Sequence, residues 1–84
     1  MNSPPQVTPE RAQLDAVFNA AIDQHEQGRV VEALEILQLL SLLDPRDQGV
    51  WRALARCHDD LGQPEVGGFL RSLGGQVGAL EETS

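Results

Sequence analysis

Aromatic side chains are nearly missing from this chain. Among 84 residues there are only Phe18, Trp51 and Phe69, and no tyrosine. One small domain is expected, with a modest core. Such a chain is marginally stable alone, and binding a partner is a common remedy. Basic residues are also scarce: six against thirteen acidic ones, for a formal net charge of −7. Nucleic-acid binding needs a basic footprint, so that class is excluded, and an anionic membrane surface is disfavoured. The acidity suits a basic or amphipathic protein partner, but its first effect is solubility. A single cysteine, Cys57, cannot form an internal disulfide, which fits a reducing, cytoplasmic setting. The N-terminus MNSPPQVTPE has neither a basic segment nor an apolar run, so no secretory leader is expected. The longest apolar tract is broken by Glu, Gln and Ser, so membrane insertion is not expected.

Signatures of chemistry are missing too. There is no Ser/His/Asp order and no phosphate loop, because Gly67-Gly68 and Gly74-Gly75 are not followed by Lys-Ser/Thr. His25, Cys57 and His58 are the only soft metal ligands. Adjacent Cys57 and His58 project about 100° apart on a helix and cannot easily chelate together. Cys57 reads as core filling and His58 as a packing residue. Asp59-Asp60 and Glu81-Glu82 read as solvated acids at helix ends. No catalytic residue, metal or cofactor is expected, and the chain reads as a non-enzyme.

What the chain does have is leucine. In the stretch Val30 to Pro45, VVEALEILQLLSLLDP, ten of the first fourteen residues are Val, Ile, Leu or Ala. Good helix formers dominate it. At about 100° per residue, Val30, Ala33, Leu34, Ile36, Leu37, Leu40 and Leu43 share a broad face. Val31, Leu39 and Leu42 lie outside that face. A helix apolar nearly all round is normally buried nearly all round. So short a chain has little with which to surround it, and part of the cover is expected from another chain.

The flanking segments give three further helices. Residues 1–8 read as a disordered tail, with Thr8 and Pro9 starting the first helix as cap and first helical residue. That helix is expected from about Pro9 to Gln27, with Leu14, Val17, Phe18, Ala21, Ile22 and His25 as its apolar stripe. Gly28 ends it as a left-handed cap and forces an antiparallel hairpin with the central helix. Asp44-Pro45 ends the central helix. A third helix is expected over about Gln48 to Leu61, with Val50, Trp51, Leu54, Ala55, Cys57, His58 and Leu61 buried and Gly62 as its stop. A fourth is expected from Pro64 to about Leu80, with Val66, Phe69, Leu70, Leu73, Val77 and Leu80 on one face; residues 81–84 read as tail. Its glycines each cost roughly 1 kcal/mol relative to Ala. Gly67, Gly74 and Gly78 fall on one side, which is either a sign of a frayed helix or a smooth strip where another backbone comes close.

The chain matches itself at a shift of 34 residues: Val17 falls on Trp51, Ala20 on Leu54, Ala21 on Ala55 and Gly28 on Gly62. The second unit reads Trp51-x2-Leu54-Ala55-x2-His58, then Gly62. The first reads Val17-x2-Ala20-Ala21-x2-Gln24, then Gly28, Ala33, Leu37 and Pro45. This pattern over about residues 14–63 resembles the tetratricopeptide repeat. The implied fold is all-α: antiparallel helical hairpins stacked as about one and a half to two such repeats, over units of about 14–47 and 48–80 within a domain of 9–80. Ala21, Ala33, Trp51, Leu54, Gly67, Gly74 and Gly78 become helix-packing positions. Arg71 and Gly74 depart from the pattern, where apolar residues are expected. About three repeats usually make a self-supporting stack, which again points to missing cover.

In that family the first helix of each repeat lines a concave groove. By motif position this implies Asp15, Phe18, Ile22, His25 and Glu26 from the first unit, and Gly49, Arg52, Arg56, Asp59 and Asp60 from the second. Arg52 and Arg56, four apart, either grip a carboxylate or backbone carbonyl, or Arg56 merely pairs with Asp60 on the surface. Val31, Leu39 and Leu42 either pack on the fourth helix or meet a partner. The segment LQLLSLLDPRDQGVWRALARCHDDLGQ also resembles the small chaperones of bacterial type III secretion that belong to the tetratricopeptide class. The implied function is a non-catalytic, cytoplasmic chaperone or co-chaperone covering an amphipathic segment of a secretion partner, with Phe18, Ile22, Val31, Leu39, Leu42, Arg52 and Arg56 as partner-binding residues. The other reading is a homo-oligomerising module in which Gly67, Gly74 and Gly78 let the fourth helix pack on its copy.

Overall fold

The protein is described from a computed structural model covering the backbone of residues 9–83 and the side chains of residues 9–77. The expected tail over 1–8, the Thr8 cap and the side chains of Gly78, Leu80, Glu81 and Glu82 lie outside these. The fold is all-α. Four helices run in order: α1 (Pro9–Glu26), α2 (Val30–Leu43), α3 (Gln48–Asp60) and α4 (Pro64–Thr83). The last continues beyond Leu80, so residues 81–83 are helical rather than tail.

Two of the three connections are the same turn, one repeat apart. Gly28 and Gly62 have φ of 82° and 78°, the left-handed region that only glycine enters at little cost. After α1, Gly28 N–H donates to His25 O at 3.0 Å and Arg29 N–H to Gln24 O at 2.8 Å. After α3, Gly62 N–H donates to Asp59 O at 3.0 Å and Gln63 N–H to His58 O at 2.8 Å. Both are Schellman caps, which satisfy the last carbonyls and reverse the chain within three residues. The middle connection works differently. Asp44, held out of the helical region before Pro45, closes α2, and Asp47 Oδ1 accepts from Gly49 N–H at 2.9 Å to cap α3.

The result is two helical hairpins, α1–α2 and α3–α4, joined along α2 and α3, with α1 also touching α3. Small residues make the close approaches: Ala21, Ala33 and Ala55 are completely buried. Leu37, Leu40, Val50, Leu54 and Cys57 fill the space between them, flanked by half-buried Leu14, Phe18, Trp51 and Leu70. Trp51 lies on the seam and its Nε1–H donates to Pro45 O at 2.7 Å. That bond satisfies the indole's one polar atom and ties α3 to the loop before it.

The expected face of each helix is drawn differently at some point. Leu43 is 60% exposed, because it sits about 80° round α2 from Ala33, at the edge of the buried arc. Val17 and Leu61 are likewise exposed rather than buried. On α4 the packing face is turned by about 90° from the apolar stripe. Gly67 and Gly74 are buried against α3, whereas Val66 and Phe69 face out. A Cβ on Gly67 would stand 2.9 Å from Ala55 O, and one on Gly74 would stand 3.0 Å from Trp51 Cβ. The glycine strip therefore serves a backbone approach within this chain. At Gly67 and Gly74 that approach is taken up by α3, and α4 is helical over these residues. Because α4 docks on α3, it makes no contact with α2 among the described residues.

Candidate functional site

A cleft of about 410 Å³ opens between α1 and α3. Ile22, Leu37, Ala53 and Cys57 form its apolar part; His25 and Glu26 stand on the α1 side, Arg52 and Arg56 on the α3 side. Helical periodicity explains the assembly. Ile22, His25 and Glu26 follow the three-and-four spacing that places them on one face of α1, and Arg52, Ala53 and Arg56 do so on α3. Phe18 continues the α1 wall, its ring tip 3.9 Å from where a Cβ on Gly49 would stand. The structure thus gathers Phe18, Ile22, His25, Glu26, Gly49, Arg52 and Arg56 on one side of the molecule. Burial raises the pKa of the Cys57 thiol above its ordinary value, aided by the nearby Asp60 charge, so at neutral pH this part of the floor is uncharged.

Asp59 and Asp60 are not free acids at a helix end. Asp60 Oδ2 meets His25 Nε2 at 2.5 Å, bridging α3 to α1 at one end of the cleft. Asp59 takes an ion pair from Arg71, bridging α3 to α4. The last turn of α3 therefore holds both its neighbours. At the opposite end, Arg11 meets Asp44 at 2.5 Å and also approaches Asp15 and Asp47, tying α1 to the α2–α3 loop. Asp60 is engaged by His25, and no Arg56–Asp60 bridge forms among the described residues.

Arg52 and Arg56 form a ridge between this cleft and a second one of about 380 Å³, which lies over the α3–α4 seam. Gln48, Arg71, Gly74 and Gly75 line the second cleft together with that ridge. Among the described residues Arg52 reaches only Gln48 Oε1, at 3.4 Å. Arg71 joins this group because α3 and α4 are in contact, which the departure from the repeat pattern at position 71 marked without explaining.

Val31, Leu39 and Leu42 belong elsewhere. They are 52%, 54% and 80% exposed on α2 and line neither cleft. Leu39, Leu42 and Leu43 make an apolar patch in the last turns of α2. On α4, Phe69 is 63% exposed and Val66 stands beside it. The seven candidate partner-binding residues therefore fall into two sets: Phe18, Ile22, Arg52 and Arg56 at the α1–α3 cleft, and Val31, Leu39 and Leu42 on α2. Ala21, Ala33 and Leu54 are buried at helix contacts as expected, Trp51 and the two described glycines sit on the α3 seams, and Gly78 lies outside the described side chains. No helix among the described residues is long and apolar enough to cross a membrane. No group of three or more His, Cys, Asp or Glu among them is placed to hold a metal ion.

No protein-family model, curated protein or solved structure matches this chain.

Proposed function

We propose that the chain is a non-catalytic protein-binding module of tetratricopeptide-like design, acting as a small cytoplasmic chaperone that covers an amphipathic segment of a secretion-system partner. The observation that carries this reading is the α1–α3 cleft: an apolar floor at Ile22, Leu37, Ala53 and Cys57 beside an arginine ridge. Such a surface suits one edge of a helix laid in a groove. The repeat reading draws support from the paired Schellman turns and from the adjacency of α1 and α3. Uncovered apolar residues on α2 and α4 agree with a chain that meets another protein.

The test is co-purification from the native host, with mass spectrometry, of the wild-type chain and of Ile22→Asp. Circular dichroism must first show the variant folded. Loss of one partner in Ile22→Asp supports the cleft; an unchanged set of partners refutes it.

A second reading, self-association, rests on the Leu39–Leu42–Leu43 patch, since Gly67 and Gly74 of α4 already lie against α3. Light scattering across a concentration series separates the two. A dimer abolished by Leu39→Asp supports self-association, and a monomer at all concentrations removes it.

A further inference from the structure

We infer that the occupant of the α1–α3 cleft is an acidic amphipathic helix, with an apolar stripe on the cleft floor and Asp or Glu residues four apart along the edge that meets Arg52 and Arg56. This inference rests on the protein-binding reading of the cleft and names the chemistry of the ligand. The chain has thirteen acidic residues for six basic ones, so an arginine has carboxylates within reach in most places. Arg11 and Arg71 each use them. Arg29, Arg46, Arg52 and Arg56 make no ion pair among the described residues, and of these four only Arg52 and Arg56 line the cleft, although Asp60 lies one turn from Arg56. That aspartate is turned toward His25. Two like charges one turn apart disfavour their own helix, and the ridge relieves this only when an anion joins it.

Geometry narrows the anion. Positions four apart on α3 are about 6 Å apart along the axis, at about 1.5 Å of rise per residue. Carboxylates four apart on a partner helix repeat at the same distance, and each guanidinium presents a fork that fits one carboxylate. The apolar floor beside the ridge demands Leu, Ile or Phe next to those acids. Glu26, on the opposite wall, sets the direction: acids belong on the α3 edge of the ligand only, where they escape its repulsion.

The test is selection from a phage-displayed library of random 16-residue peptides. The baits are the wild-type chain, the exposed double variant Arg52→Gln/Arg56→Gln, and Ile22→Asp. Recovered peptides are then titrated by fluorescence anisotropy. Wild-type selection is expected to enrich Asp or Glu four apart beside an apolar stripe. Such peptides should bind wild type at least tenfold tighter than their Gln counterparts, and the double variant should lose that preference while keeping its helicity. Enrichment of apolar stripes without acids, or a preference retained in the double variant, overturns the acidic ligand but leaves the cleft reading standing. No enrichment over Ile22→Asp overturns both. Displacement of the peptide by inorganic polyphosphate, together with binding that survives removal of its apolar residues, shows a general anion patch and also overturns the inference.

Discussion

The approach of α4 to α3 can be tested with its own glycines, because four of them sit in one helix under opposite conditions. Replacing a solvent-facing helical Gly by Ala gains about 0.8–1 kcal/mol from propensity alone. A Cβ added at Gly68 or Gly75 meets nothing within 4 Å, so Gly68→Ala and Gly75→Ala should each stabilise by nearly that amount. At Gly67 the new Cβ would stand 2.1 Å from Asp59 Oδ1 and 2.9 Å from the Ala55 carbonyl oxygen. The carboxylate can rotate away, at the loss of its pairing with Arg71. The carbonyl cannot, so α4 must retreat by about half an ångström to restore ordinary contact. Overpacking of this kind costs typically 1–3 kcal/mol, which outweighs the propensity gain and leaves Gly67→Ala destabilised by about 1 kcal/mol. Gly74 is intermediate. Its Cβ at 3.0 Å from Trp51 Cβ needs a shift of only a few tenths of an ångström, and the two effects nearly cancel. For a domain of this size 1 kcal/mol moves the thermal midpoint by roughly 4–8 °C. Melts followed by circular dichroism should therefore rank Gly68→Ala and Gly75→Ala above wild type, Gly74→Ala near it, and Gly67→Ala below it. If Gly67→Ala melts as high as Gly68→Ala, α4 does not lie this close to α3 and the account of the strip is wrong.

Three other outcomes are expected. Gly28→Ala and Gly62→Ala, both at left-handed φ, should each lower stability by about 1–2 kcal/mol in urea unfolding, even though a Cβ meets nothing there; neutral variants would contradict the Schellman geometry. Leu42→Ser should change stability by less than about 0.5 kcal/mol because Leu42 is 80% exposed, whereas Leu37→Ala, fully buried, should cost about 2–5 kcal/mol and leave much of the chain unfolded at 25 °C. The Cys57 thiol has a pKa raised by burial, so folding holds its proton longer than the unfolded chain does. Its stability contribution is intact below the ordinary thiol value of 9.0 and declines as pH rises above it. The urea midpoint should fall above that pH, and Cys57→Ala should remove this part of the fall.

Much of the fold was legible because local signals agreed with one another. Glycines at 28 and 62 and prolines at 9, 45 and 64 punctuate the chain where the helices begin and end, and apolar spacing of three and four fills the intervals. The buried alanines at 21, 33 and 55 followed from the repeat. On α4 the same logic failed. Periodicity points to the Val66–Phe69–Leu73 stripe as the inner face, but contact with α3 is won by Gly67 and Gly74, because two helices approach most closely where side chains are smallest. A hydrophobic pattern reports what is apolar and is silent about a face made of missing side chains. The cleft was half legible: motif positions named Ile22, His25, Glu26, Arg52 and Arg56, while the partnering of Asp59 and Asp60 depends on which helix ends meet. Arg71 could be joined to Arg52 and Arg56 only through the α3–α4 contact. Asp47, one residue before the start of α3, is a cap signal readable from its residue type and place.

That α4 touches α3 and, among the described residues, not α2 has a bearing on how the chain comes apart. A bundle closed on itself loses its helices together, but this one is open at one end. Detaching α4 gives up contacts with one neighbour and leaves the Ala21–Ala33–Leu37–Leu40 packing of α1 and α2 whole. Two thresholds of opening are therefore expected, a lower one for its last helix and a higher one for the rest. Amides of α4 should exchange with solvent ahead of those in α2, and Gly67→Ala should widen that gap while leaving the first hairpin's protection in place.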